Sequence, residues 1–308
     1  MIEIANFSFL FLILISFLLV RFGFDSKAFD YIPKILFTLS YPALVLLSFS
    51  VIDSDMYTHH IVYTVVFTVV ATTLLFLLSY LALRRYRKAD RKEIIIFYVM
   101  IGNVTFVGLP FIAYFFGAFG LSFAILLGMI QDFFIWSLNY ARFSRRGSLK
   151  QAMKSLLNPC FLALIIGLIL AFTPLSLPDF SRLPLQLLAD LTIPLALLCI
   201  GSLLAQNRDA LKQIDRDVVL AVLIKTFAIP VLAFVILRLI GIERTLALLS
   251  SFILGLPAPL LSILFSKQFD QDTAFANVQF VCSTLAFVLA CGVLFLLQAG
   301  GILILSGT

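Results

Sequence analysis

Ten apolar stretches almost free of charge, an alternation of basic loops and a faint internal repeat predict an all-α integral membrane protein. The expected architecture is ten transmembrane helices in two inverted five-helix repeats, residues 1–150 and 151–308. Of the 308 residues 62% are hydrophobic and only 12% charged, against roughly 25% charged in an ordinary soluble domain. A soluble fold is excluded. Crossing a hydrocarbon core of roughly 30 Å takes about 20 apolar residues, so ten spans use nearly the whole chain and leave no room for a soluble catalytic domain.

The spans are expected at 5–20, 32–52, 57–83, 93–116, 120–141, 158–177, 183–205, 218–239, 245–266 and 273–298. No Lys or Arg precedes the first, and no small-residue cleavage site follows it, so it stays as a membrane helix and not a signal peptide. The apolar run Ile94 to Gln131 is too long for one helix; Gly117-Ala118-Phe119-Gly120 divides it. The tail after Gly301 is too short to cross.

The formal charge of +6 does not point to nucleic acid, because the basic residues sit in short loops, as orientation signals do. Arg21, Lys27 and Lys34 follow the first span, and Arg84, Arg85, Arg87, Lys88, Arg91 and Lys92 the third. Arg142, Arg145, Arg146, Lys150 and Lys154 follow the fifth; Arg208, Lys212 and Arg216 the seventh; Lys267 the ninth. Even-numbered loops hold only Arg182, Arg238 and Arg244. The positive loops face the cytoplasm, which puts both termini outside a plasma (inner) membrane. Five spans per half then start on opposite sides, and a repeat is present. Gly108-Leu109-Pro110 recurs as Gly255-Leu256-Pro257, Gln131 as Gln279, and Tyr41-Pro42-Ala43-Leu44 as Ile193-Pro194-Leu195-Ala196, at offsets of 147, 148 and 152 residues.

Broken helices at matched depth are the strongest sign of a transport site. The fourth span carries Gly102, Asn103, Thr105, Gly108 and Pro110; the ninth carries Pro257, Pro259 and Ser262. A mid-helix proline frees carbonyls, which a membrane tolerates only inside protein or against a water-filled cavity. Asp132 lies about 12 residues into the fifth span, where a carboxylate needs a partner or water. Gln131 flanks it and Asn139 shares its face. Lys225 lies inside the eighth span, able to meet a substrate carboxylate, to pair with Asp132 or to snorkel to the interface. Asn277, Gln279, Ser283 and Thr284 give the tenth span a polar face, as pathway lining or as interhelical hydrogen bonds. Asp190, with Thr192 and Pro194, reads as a helix cap or break.

Gly102-Asn103 through Gly108-Leu109-Pro110, the Gln131…Ile135-Trp136-Ser137-Leu138 stretch, Pro194 with Leu197 to Leu203, Lys225 before Pro230, and Leu256-Pro257-Ala258-Pro259 together resemble the auxin efflux carrier family. The resemblance covers nearly all ten spans. It implies a fold like that of bile-acid symporters and sodium/proton antiporters: a panel of spans 1, 2, 6 and 7, and a transport bundle with crossed spans 4 and 9. It implies a secondary transporter of elevator type for a small organic anion, a mono- or dicarboxylate that is auxin-like or malonate- or malate-like. The lipid bilayer, a coupling proton or sodium ion and a second copy in a homodimer are the partners to expect. The long cytoplasmic loop of many plant members is missing, so auxin itself is not implied.

No enzyme is expected. Cys160, Cys199, Cys282 and Cys291 lie in apolar runs without CxxC spacing, His59 and His60 lie at an external loop, and no phosphate-binding G-x-x-x-x-G-K-[ST] occurs. Neither metal nor cofactor is expected. An ion or solute channel and a non-transporting scaffold or receptor module are the rival readings; neither calls for proline-broken helices at matched depth in both halves.

Overall fold

A computed structural model describes residues 2–25, 29, 31–50, 54–139, 142–143, 158–173 and 175–299, and every regular element among them is helical. In chain order these are α1 (Ile2–Arg21), α2 (Ile32–Ser50), α3 (Ser54–Ala82), α4 (Ala89–Met100), α5 (Val104–Asn139), α6 (Pro159–Ala171), α7 (Asp179–Gln206), α8 (Arg216–Leu239), α9 (Arg244–Leu254), α10 (Leu261–Gln268) and α11 (Thr273–Ala299). Six are long and apolar enough to cross a membrane over most of their length: α2, α3, α5, α7, α8 and α11. The apolar part of α1, together with α6 and α9, is shorter. Gly301 and the basic residues Lys27, Arg145, Arg146, Lys150 and Lys154 lie outside the described residues.

Helix starts follow the local sequence. Asn158 accepts from the Phe161 amide (3.0 Å) ahead of Pro159, and Asp215 and Asp272 cap α8 and α11 in the same way. Inside α5 the chain turns at Gly117 (φ 62°, ψ −154°), the place where two expected spans meet. Only glycine enters that region without strain.

The break in the first half is not where Pro110 suggested. The helix stops at Met100, runs extended through Ile101 (φ −118°, ψ 133°) and restarts at Val104, whereas Pro110 is buried in the first turn after Gly108. Pro110 follows directly on the π-helical turn Val104–Gly108 inside α5; that turn shifts the hydrogen-bond register where the proline leaves a carbonyl without its usual donor, and the helix runs on through it. In the second half α9 ends at Leu254 and α10 begins at Leu261, and Pro257 and Pro259 lie within the gap, as the sequence suggested.

Two sets of helices pack around these breaks. In one, α1 runs along the second part of α7, and α2 packs against α6 and the first part of α7. Small residues allow the approach: a Cβ on Gly201 would lie 2.1 Å from the Ile13 carbonyl oxygen, and one on Gly167 2.9 Å from Phe49 Cβ. In the other, α3 packs on α4 and α5, α8 on α9 and α11, and α10 on α11 and α4.

Charges fasten the second set at the end where the basic loops gather. Arg91 on α4 pairs with Asp215, with Asp272 (2.7 Å) and, at 3.8 Å, with Asp217, and its guanidinium lies 4.6 Å from the centre of the Phe275 ring. Asp217 also accepts from Lys88 (2.9 Å) and Tyr86 (2.7 Å), and Arg142 grips Glu93 through two bonds of 2.8 and 2.9 Å. Partial burial works against ionisation of Asp215, but the Val218 amide and the Arg91 guanidinium outweigh it and hold the carboxyl below its usual range. A carboxyl whose folded pKa is depressed contributes stability above its unfolded pKa of about 3.9, lost as pH falls through the lower folded value. Thermal melts of purified protein are expected to drop below about pH 4, and Asp215→Asn should lower stability at pH 6 and remove part of that dependence.

Candidate functional site

The two breaks meet. The Asn103 amide, which would have closed the last turn of α4 on the Val99 carbonyl, donates instead to the Pro257 carbonyl at 2.9 Å. The freed Val99 carbonyl accepts from the Lys225 ammonium at 2.9 Å, a cation placed at a helix C-terminus. Lys225 is 1% exposed, so it does not snorkel, and it forms no ion pair with Asp132. On the other side of the crossing the Ala258 amide donates to Ser283 Oγ of α11 at 3.0 Å. Leu256 fills the space between two glycines: a Cβ on Gly102 would fall 2.6 Å from Leu256 Cβ, and one on Gly108 2.9 Å from Leu256 Cδ1.

A cavity of about 500 Å³ opens beside the crossing, between the two helix sets. Its walls are the first two turns of α2, residues 101–106, the Gln131-Asp132 turn of α5, the start of α6, and Pro259 to Leu264. Three helix N-termini border it: that of α5, where Asn103 caps the Phe106 amide (3.3 Å), that of α6 with its Asn158 cap, and that of α10. The free N–H groups and dipoles of such ends favour negative charge. Among the described residues Lys34, exposed in the first turn of α2, is the only basic residue of the wall, and Asp132 the only acidic one.

Of the residues singled out in the sequence, the structure brings Asn103, Thr105, Gln131, Asp132 and Pro259 together on this cavity. Pro110, Pro257, Ser262, Asn277, Gln279 and Lys225 are not part of its wall. Ser262 closes a local bond to the Pro259 carbonyl (2.8 Å), and Gln279 is fully buried, both amide atoms without a partner. Asn139 is buried and bonds weakly to the Phe134 carbonyl (3.4 Å), and Asp190 accepts from Gln186 (2.7 Å) at the surface.

Sequence reasoning missed the contribution of α2 and α6: Lys34, Thr38, Tyr41, Asn158 and Cys160 all line the wall. The Tyr41-Pro42 and Asn158-Pro159 pairs, polar side chains just ahead of prolines in apolar surroundings, were the available signal. Among the described residues no group of His, Cys, Asp and Glu is placed to hold a metal ion. A family model described as membrane transport protein matches residues 4–295 of the chain. No curated protein matches it.

Proposed function

The chain belongs to the membrane transport protein family, that of the auxin efflux carriers, and from that premise we propose a secondary active transporter that moves a small organic anion across the plasma membrane by alternating access. The observation that carries the reading is the convergence of three helix N-termini and Lys34 on one cavity at the crossing of two broken helices. That arrangement offers a carboxylate free amides and positive potential without a metal.

Two inverted five-helix repeats are part of the proposal. Exchanging the halves maps the α1–α7 contact onto the α6–α2 contact, and the break after α4 onto the break after α9. The set containing α1, α2, α6 and α7 is then the fixed panel, and the remaining helices are the body that slides. Because Lys34 and the capped start of α6 both belong to the side marked by basic loops, the cavity faces the cytoplasm. A coupling proton or sodium ion and a homodimeric assembly complete the reading.

Thermal stabilisation of the purified protein by mono- and dicarboxylates, followed by uptake into liposomes, tests the function, since a ligand that binds only the folded state raises the melting temperature by mass action. Saturable uptake is expected; linear, non-saturating flux would support a channel, and neither binding nor flux a scaffold. Uptake measured with and without each gradient identifies the coupling ion. For topology, a cysteine at Ala89 should react with an impermeant reagent only from the cytoplasm and one at Glu243 only from outside; labelling of both from one side removes the inverted repeat. Pro257→Ala is expected to cut uptake by about tenfold or more, because that proline sits in the break itself, whereas Pro110→Ala, past the break and inside α5, stays within about twofold of the parent.

A further inference from the structure

Resting on the reading that the cavity takes a carboxylate, the polar inventory of its wall specifies what lies at the other end of the solute. The α5 turn in the cavity wall presents two neighbouring acceptors that no described residue serves. The Asp132 carboxylate receives no hydrogen bond or ion pair from any described residue, and it lines the cavity half-buried. Next to it Gln131 is 5% exposed, lines the same cavity, and its carbonyl oxygen Oε1 is buried without a donor. An ionised carboxylate at this depth and an unbonded amide oxygen are both costly, the more so beside a second anion. A dicarboxylate in this cavity would bring two negative charges to a wall whose described residues include one lysine and one aspartate. A neutral monocarboxylate tail would leave both acceptors unmet.

We propose that the solute is an amino-carboxylic acid, which replaces the net anion of that reading by a zwitterion: its carboxylate is held by the helix N-termini and Lys34 and its ammonium donates to Asp132 and Gln131 Oε1. An ammonium has three donors, enough for both acceptors and one hydroxyl, and the charge-assisted bond to Asp132 is the strong one.

The experiment uses purified full-length protein and three matched series: glycine, β-alanine, 4-aminobutyrate and 6-aminohexanoate; acetate, propionate, butyrate and hexanoate; malonate, succinate and glutarate. Melting temperature is followed against concentration in choline chloride and again in sodium chloride. At least one amino acid is expected to bind about tenfold or more tightly than its monocarboxylate partner and than every dicarboxylate. Asp132→Asn should erase that preference by weakening the amino acid alone, and Gln131→Leu should reduce it. A cooperative melt without ligand and a monodisperse gel-filtration peak show that both variants fold. A dicarboxylate that binds best, or a preference unchanged in Asp132→Asn, overturns the proposal. So does a shift produced by sodium alone and lost in Asp132→Asn, to which no amino acid adds; the acceptor pair is then an ion site. If no carboxylate of any series binds, it is the carboxylate-carrier reading that fails.

Discussion

Gly102→Ala is expected to reduce uptake by about tenfold or more and to destabilise the protein by about 1–3 kcal/mol, the usual range for forcing a methyl group into a packed interior. The obstacle is specific. The new Cβ would stand 2.6 Å from Leu256 Cβ, an atom fixed to the backbone of the opposite break, with the Ile253 carbonyl 3.4 Å away. Because the obstacle is a Cβ and not the end of a side chain, Leu256→Ala does not relieve it but Leu256→Gly does. Gly102→Ala should therefore cost as much in a Leu256→Ala background as in the parent, and almost nothing in a Leu256→Gly background. Melting temperatures and initial uptake rates of the five variants check this; equal costs in both backgrounds would show that the breaks do not touch through these two residues.

Gly201→Ala should be the more damaging change to stability, by about 3 kcal/mol, at the upper end of the overpacking range. Its Cβ would lie 2.1 Å from both the Ile13 carbonyl oxygen and Ser16 Oγ of α1. A serine can turn away, but a helix carbonyl cannot, so α1 has to move off α7. Gly292→Ala is the control: a Cβ there meets nothing within 4 Å, and alanine is the better helix former, so stability is expected to hold or rise slightly. If the two glycines respond alike in thermal melts, the close contact of α1 with α7 is wrong.

The parts of this structure that could be read in advance are those in which one residue type has one physical meaning. Apolar length marked the six long helices, paired glycines marked the turn at Gly117, and a carboxylate inside an apolar run drew attention to Asp132, which lines the cavity. Pro110 misled because the helix takes up that proline next to a π-helical turn and runs on; the true break needed Gly102 for its closeness and Asn103 for its cap, both quieter signals. Lys225 was ambiguous because its partner, the Val99 carbonyl, becomes available only once the Asn103 amide has turned to Pro257 in the other half. Lys34 was counted among the charges that orient the chain, and nothing in a single sequence separates a lysine that only orients from one that also borders a cavity.

The ion pairs around Arg91 and Asp217 bear on energetics of a different kind. Those between separate helices, Lys88–Asp217, Arg91–Asp215, Arg91–Asp272 and Arg142–Glu93, each join helices of the same set, the one proposed to slide. If that set slides as proposed, they would act as ties within the moving part, not as latches between it and its support. Displacing the part would then strain no charge pair of this group, and the activation barrier would lie in shearing apolar side chains past one another. Such a barrier is little screened by salt, so turnover at saturating solute should change little with ionic strength even though thermal stability falls with it.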